Sequence, residues 1–192
     1  MREPGRGMWR AGIRFFSYPY SIDFPAGIRI REMKSMHEGP MDWTIEELAD
    51  AQRAPLDLLL DADPSEEMVR GYLRDGTCLV ARRNGQIAGI LIYIRTRPLT
   101  AEIMIVSVRE DWRNRGIARS LILRAIERAR LEKYAVIEIG TGNPGVVQML
   151  LYQKCGFRIV GVDPDYFRRN HKERIFENGI ECRDMIRMRM EL

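Results

Sequence analysis

Apolar and polar positions alternate in short β-branched runs through the middle of the chain. Thr77 to Arg82 and Gln86 to Thr96 flank Asn84-Gly85, a pair that tolerates the positive φ angles of a tight hairpin, so the pattern predicts a two-stranded meander. Pro98 cannot donate to a strand ladder, and the Ile- and Val-rich run from Ala101 to Val108 resumes the sheet beyond it. The period then lengthens. Between Arg115 and Lys133, Ile117, Leu121, Ile122, Ala125, Ile126 and Ala129 recur at helical spacing, which gives that helix one apolar face for the sheet. Ala135 to Ile139 predicts a short strand, Gly140 to Gly145 a loop, Val146 to Cys155 a helix stopped by Gly156, and Phe157 to Val162 another strand. After a polar stretch from Asp163 to Glu177, Asn178-Gly179 marks a turn before a last strand, Arg183 to Met190.

Upstream, Ile28, Ile30 and Met33 predict a first strand. Thr44 before Glu46 and Glu47 predicts a capped helix through Leu48 and Ala49, continued from Asp50 to Leu60 with a break near Pro55. Asp63-Pro64-Ser65-Glu66-Glu67 predicts a second helix start, its acidic groups facing the positive end of the dipole, and Asp75-Gly76 stops it. Strands in the middle and a strand-helix-strand-helix-strand unit after them imply a mixed sheet with helices on both faces.

With 192 residues, 45% apolar and 30% charged, one domain with a substantial core is expected, spanning residues 28–192. Residues 1–27 carry Arg2, Arg6, Arg10 and Arg14 beside Phe15, Phe16, Tyr18 and Tyr20; they lack the long apolar stretch of a leader and are expected to be a poorly ordered extension. The balance of 31 Lys+Arg against 27 Asp+Glu is interspersed and diffuse, which argues against nucleic acid but suits a small anionic ligand. No segment approaches the length of a membrane span. Cys78, Cys155 and Cys182 form no CxxC pair, and His37 and His171 are the only histidines, so neither a disulfide framework nor a metal site is expected. Buried, reduced thiols point to the cytoplasm.

Candidate chemistry concentrates where the run ending at Val108 passes through Arg109-Glu110-Asp111-Trp112 into a helix opening at Arg113-Asn114-Arg115-Gly116-Ile117-Ala118. The first turn of a helix offers unpaired N–H groups and a positive dipole end; Gly116 admits a ligand close to the backbone, and Arg113 and Arg115 add mobile positive charge. This is an anion cradle. Arg113-x-x-Gly116-x-Ala118 resembles the pyrophosphate-binding signature Q/R-x-x-G-x-G/A of GNAT acyltransferases. Asn143 to Phe157 is similar to a second GNAT pattern, with Asn143 in a loop after a strand and Tyr152 on the next helix before Gly156-Phe157; Met149 to Leu151 depart from it in size. Leu151 to Ile159 and Phe176 to Met185 look like a bacillus-type branch of uncharacterised GNAT proteins.

The resemblance, from about residue 28 to 192, implies an α/β (α+β) fold with a GNAT-like mixed, mostly antiparallel central sheet. It implies an N-acetyltransferase that moves an acetyl group from acetyl-CoA to a primary amine by direct attack, without a metal. The backbone of Arg113, Asn114, Arg115, Gly116, Ile117 and Ala118 would take the CoA pyrophosphate, Asn143 would also contact the cofactor, and an N–H among Val106, Ser107 and Val108 would stabilise the oxyanion. Tyr152 would protonate the leaving thiolate. Glu102, on one face of its strand with Met104, Val106 and Val108, is the first candidate for the base, ahead of Glu138. The acceptor is expected to be a small-molecule or peptide amine, and a homodimer is compatible with the sequence. The alternative is a non-catalytic CoA or acyl-CoA sensor, against which the presence of Tyr152 counts.

Overall fold

A computed structural model describes residues 42–192; the strand expected at 28–33 and the extension 1–27 lie outside them. Seven strands form one sheet: β1 (Thr44–Glu47), β2 (Gly76–Arg83), β3 (Gln86–Arg97), β4 (Thr100–Val108), β5 (Val136–Gly142), β6 (Arg158–Asp163) and β9 (Met185–Glu191). Their order is β1-β2-β3-β4-β5-β9-β6, and every neighbouring pair is antiparallel except β4 with β5. The last strand thus inserts between two strands that precede it. A separate hairpin joins β7 (Phe176–Glu177) to β8 (Ile180–Glu181) through Asn178 and Gly179, both at positive φ as the turn requires.

Helices α1 (Leu56–Leu60) and α2 (Glu66–Asp75) cover one face, where Leu58, Leu59 and Val69 pack on Val80, Ile90, Ile92 and Ile105. On the other face α3 (Ile117–Leu131) sets Ile117, Leu121, Ile122, Ala125, Ile126 and Ala129 against the sheet, the face read from its periodicity. Tyr152 and Cys155, from α4 (Val146–Lys154) and its C-terminal turn, join that cluster. A fifth helix, α5 (Tyr166–Asn170), interrupts the polar stretch after β6. All three cysteines are buried and free.

Two elements differ from expectation. Thr44 starts no helix: Thr44–Glu47 is an edge strand paired from Thr44↔Arg82 to Glu47↔Leu79, with Trp43 and Ile45 turned to the core and Thr44 and Glu46 outward. A period of two, with pairing partners already in place on β2, outweighs the local capping signal. The break expected near Pro55 is present, a short 3-10 turn at Ala51–Arg53 ending before it and α1 starting after it, where its fixed φ suits a helix entrance. The loop expected at Gly140 to Gly145 is shorter, because β5 runs on to Gly142 along β9. By contrast, Ser65 caps α2 as the sequence implies, accepting the Met68 N–H.

Candidate active site

The site begins with a discontinuity in the sheet. Ile92 stands opposite Ile105 and Tyr93 opposite Ile103, so Met104 is an extra residue, a β-bulge in β4. On its other edge β4 pairs with β5 only from Thr100 to Ile103. Beyond that point the two strands separate. The Arg109 N–H donates to Ala88 O at 2.9 Å. Ser107 lies opposite Ile90 on β3, so by the alternation of a strand the N–H groups of Val106 and Val108 point away from β3 into the opening.

That opening belongs to a cleft of about 720 Å³. Glu102, Val106, Ser107 and Val108 form one wall and Gly140, Thr141 and Gly142 the facing one, and residues of 60–64, α2 and α5 complete the lining. Tyr152 and Gln148 enter from α4, and Phe176 and Glu177 from β7.

Tyr152 is 7% exposed, and its hydroxyl has no hydrogen-bond partner among the described residues. Burial, followed by the nearby Glu177 carboxylate, pushes its pKa well above that of an ordinary phenol, so it stands protonated at neutral pH. Glu102 is not the solvated strand end its position implies. Its side chain is 13% exposed and accepts from Arg187 Nη1 at 2.9 Å. Burial raises its pKa above the usual carboxylate range, Arg187 opposes that shift, and Glu138 adds to it. Glu138, paired directly opposite Glu102 across β4 and β5, is occupied by Arg97 at 2.5 Å and Arg189 at 2.9 Å.

The cradle takes shape at the cleft's end. Asn114 and Gly116 adopt positive φ, and Gly116 caps α3. The first helical hydrogen bond runs from the Ser120 N–H to Gly116 O at 2.9 Å, leaving the N–H groups of Ile117, Ala118 and Arg119 without a helical acceptor. The first turn carries no acidic residue. The Ile117 side chain is buried in the core, so only its backbone faces a ligand. Arg115 is exposed, whereas Arg113 is not the mobile charge expected: its guanidinium donates to Val108 O at 3.1 Å and to Asp61 at 2.7 Å.

Asn143 lies off the cleft wall. Its carbonyl accepts the N–H groups of Arg183 and Asp184 at 2.8 and 3.1 Å, and its amide donates to Glu181 O at 3.1 Å. It is a brace between the β5–α4 loop and the approach to β9. Sequence motifs point to neither Tyr72, which lines the cleft, nor Arg187. Arg187 lies over the Tyr166 ring at 5.3 Å and also donates to Asp163 at 3.2 Å. Arginines at alternate positions of a strand, Arg187 and Arg189, were the available signal, since they share a face with a glutamate on each of β4 and β5.

A strand parted from its parallel neighbour beside a helix-end anion cradle is the framework of a group-transfer enzyme with an anionic donor. The sequence profile of the acetyltransferase (GNAT) family matches residues 41–157. An uncharacterised N-acetyltransferase of Bacillus subtilis, YvbK, is 48% identical over 136 residues, covering 71% of this chain and 88% of that protein. Among solved structures, a B. subtilis acetyltransferase in complex with CoA is 45% identical with a TM-score of 0.74, covering 78% of this chain and 99% of that one. A GNAT-family acetyltransferase of Elizabethkingia anophelis with acetyl-CoA bound is 40% identical with a TM-score of 0.77, covering 80% of this chain and all of the other, 100%. The chain belongs to the acetyltransferase (GNAT) family. No helix among the described residues is long and apolar enough to cross a membrane, and no cluster among them has the composition of a metal site.

Proposed function

We propose that the protein transfers the acetyl group of acetyl-CoA to a primary amine by direct attack, in the reducing cytoplasm. One observation carries this reading: the cleft where β4 parts from β5 holds a partnerless phenol, Tyr152, and its wall includes Arg113, just ahead in the chain of the N–H groups at the start of α3 that lack a helical acceptor. The phosphates of CoA fit that cradle, which is free of acidic side chains in its first turn and has Arg115 beside it. Bound there, CoA would direct its thioester into the cleft.

The neutral amine attacks the acetyl carbonyl, and the oxygen that gains negative charge accepts the N–H of Val106 or Val108. The intermediate collapses by breaking the C–S bond, and Tyr152 gives its proton to the departing sulfur. A thiol titrates near 8.5 and a phenol near 10, so a raised tyrosine pKa keeps the donor loaded and leaves proximity to drive the transfer. Glu102, with its pKa raised, takes the proton that the acceptor's ammonium loses to become the neutral nucleophile, and the proton released from nitrogen as the amide forms passes to solvent while the Tyr152 phenolate is reprotonated.

Thermal unfolding with acetyl-CoA, together with release of free CoA thiol across an amine panel, tests this reading. Ligand at about 100 times its Kd adds about 2.7 kcal/mol to the folded state and raises Tm. Gly116→Glu, which places a carboxylate in the cradle, abolishes the shift; Arg115→Glu, on an exposed side chain and without backbone strain, weakens it in the same direction. No shift in the wild type, or a full shift in both variants, would overturn the cradle assignment.

A further inference from the structure

The charges on the cleft wall do not balance. Four carboxylates, those of Asp61, Asp63, Glu102 and Glu177, line it against one guanidinium, Arg113, and one imidazole, His171. Arg113 is neutralised by Asp61 at 2.7 Å. Arg187, which holds Glu102 from behind the wall, is neutralised twice, by Glu102 at 2.9 Å and Asp163 at 3.2 Å. Neither arginine is left to receive an anionic acceptor. Asp63 and Glu177 have no cationic partner among the described residues: Asp63 accepts the Ser65 N–H at 2.9 Å, and Glu177 the Gln148 amide at 2.9 Å.

These two carboxylates stand at different places. Glu177 lies near the Tyr152 phenol, where the thioester reacts, and it adds to the rise in that phenol's pKa. Asp63 lies toward Tyr72 and Tyr166, raising the pKa of both together with burial. A carboxylate in a cleft wall that also carries the Tyr72 ring suits an ammonium group, which gains from the carboxylate's charge and from the negative ring face, while the Tyr166 ring already holds the Arg187 guanidinium at 5.3 Å. The partnerless hydroxyl of Tyr152, on a side chain more than nine-tenths buried, independently marks the same cleft as built for a ligand.

Resting on the acetyl-transfer reading above, we propose that the acceptor is an aliphatic diamine or polyamine: one amine reacts beside Tyr152 while a second, charged ammonium is held by Asp63 in the same cleft, whose wall also carries Tyr72 and Tyr166. An α-amino acid brings a carboxylate into a wall that already carries unneutralised negative charge, and a monoamine leaves the Asp63 site empty. Aliphatic amines titrate near 10.4, so the second nitrogen is charged at neutral pH.

The test is steady-state release of CoA thiol by the full chain at saturating acetyl-CoA and pH 7.5, with 1,4-diaminobutane, 1-aminobutane and L-aspartate as acceptors. A hydrogen bond between charged groups in a partly buried site supports a kcat/KM about tenfold higher for the diamine than for the monoamine. Asp63→Asn retains an oxygen for the Ser65 N–H, so α2 keeps its entrance, yet the diamine preference falls toward one. Glu177→Gln, which keeps an acceptor for Gln148, lowers diamine use as a second and independent reduction of negative charge. Aspartate or the monoamine used as well as the diamine overturns the proposal, as does an Asp63→Asn variant with the preference intact. Isothermal titration with CoA separates the two levels. CoA binding with turnover on aspartate sinks only the acceptor class, whereas no CoA binding sinks the acetyl-transfer reading itself.

Discussion

Replacing Tyr152 by Phe separates chemistry from packing at this site. The ring is 7% exposed and packs near Phe157, with centroids 6.4 Å apart, so the apolar body of the side chain does most of the structural work and Phe retains it. The hydroxyl bonds to no described residue, so its removal leaves no protein partner unsatisfied. A hydroxyl buried without a partner costs about 1–3 kcal/mol. Because this one faces a cleft that admits water, the relief is at the low end, about 0–1 kcal/mol. For a domain of this size that is a Tm unchanged or raised by up to about 4 °C. Turnover moves the other way. A positioned proton donor contributes about 10²–10⁴-fold, and loss of the lower figure corresponds to about 2.7 kcal/mol of transition-state stabilisation. The assay pairs calorimetric unfolding with initial rates of thiol release at saturating acetyl-CoA, and CoA affinity is measured on the same preparation. Full turnover in Tyr152→Phe, or a Tm fall matching the loss of rate, would refute the reasoning and make Tyr152 a packing residue.

Two further perturbations address the glutamate wall. Glu102→Gln lowers kcat/KM most at pH 6–7, where nearly all the acceptor is protonated, and converges with the wild type near pH 10, where amines deprotonate without help; an effect constant across pH assigns the base elsewhere. Arg187→Gln strands the Glu102 carboxylate, for which breaking a fully buried pair costs about 3–5 kcal/mol; with a third of the Arg187 side chain exposed, about 2 kcal/mol at pH 7 is expected. The sign follows from both partners. A Glu102 pKa raised still further by the substitution stabilises the fold below the unfolded value and loses that contribution as pH rises through the folded one, while the depressed pKa of Asp163 gives stability above its unfolded value that Arg187→Gln forfeits. The variant's deficit in urea unfolding therefore shrinks from pH 7 toward pH 4, and a deficit independent of pH would place the role of Arg187 in packing alone.

Much of this architecture was legible from period and punctuation. The apolar face of α3, the Asn84-Gly85 hairpin and the Gly156 helix stop each follow from local rules, and the structure places them where those rules put them. The edge strand at Thr44 was misread because a residue favoured at helix caps and two following glutamates carry the same signal whether or not a partner strand lies alongside. Long-range pairing decided it. The insertion of β9 between β5 and β6 was equally out of reach, since chain order does not reveal which of two edges a terminal strand will join. For the site, motif spacing singled out Tyr152 and Glu102, and both line one cleft. The bracing role of Asn143 was not legible, because its side chain is fixed by backbone groups some forty positions away in sequence, at 181, 183 and 184. Tyr72 became a wall residue through the packing of α2 on β2 and β3, a long-range arrangement that no local pattern announces.

The parting of β4 from β5 also governs how the site tolerates genetic change. The donors it frees belong to the backbone of Val106 and Val108, and they are aimed by one extra residue at Met104, not by the identity of any side chain. Amino-acid replacement at 106 or 108 can reshape the wall without deleting the N–H, and proline is the one substitution that removes it. A lineage can therefore vary the side chains along this wall of the cleft, one position at a time, while the backbone N–H groups of the strand pass unchanged through almost every point mutation. Loss of the donors requires an insertion or deletion that shifts the register of the strand, a rarer event and one that would also move every core residue of β4 to the opposite face.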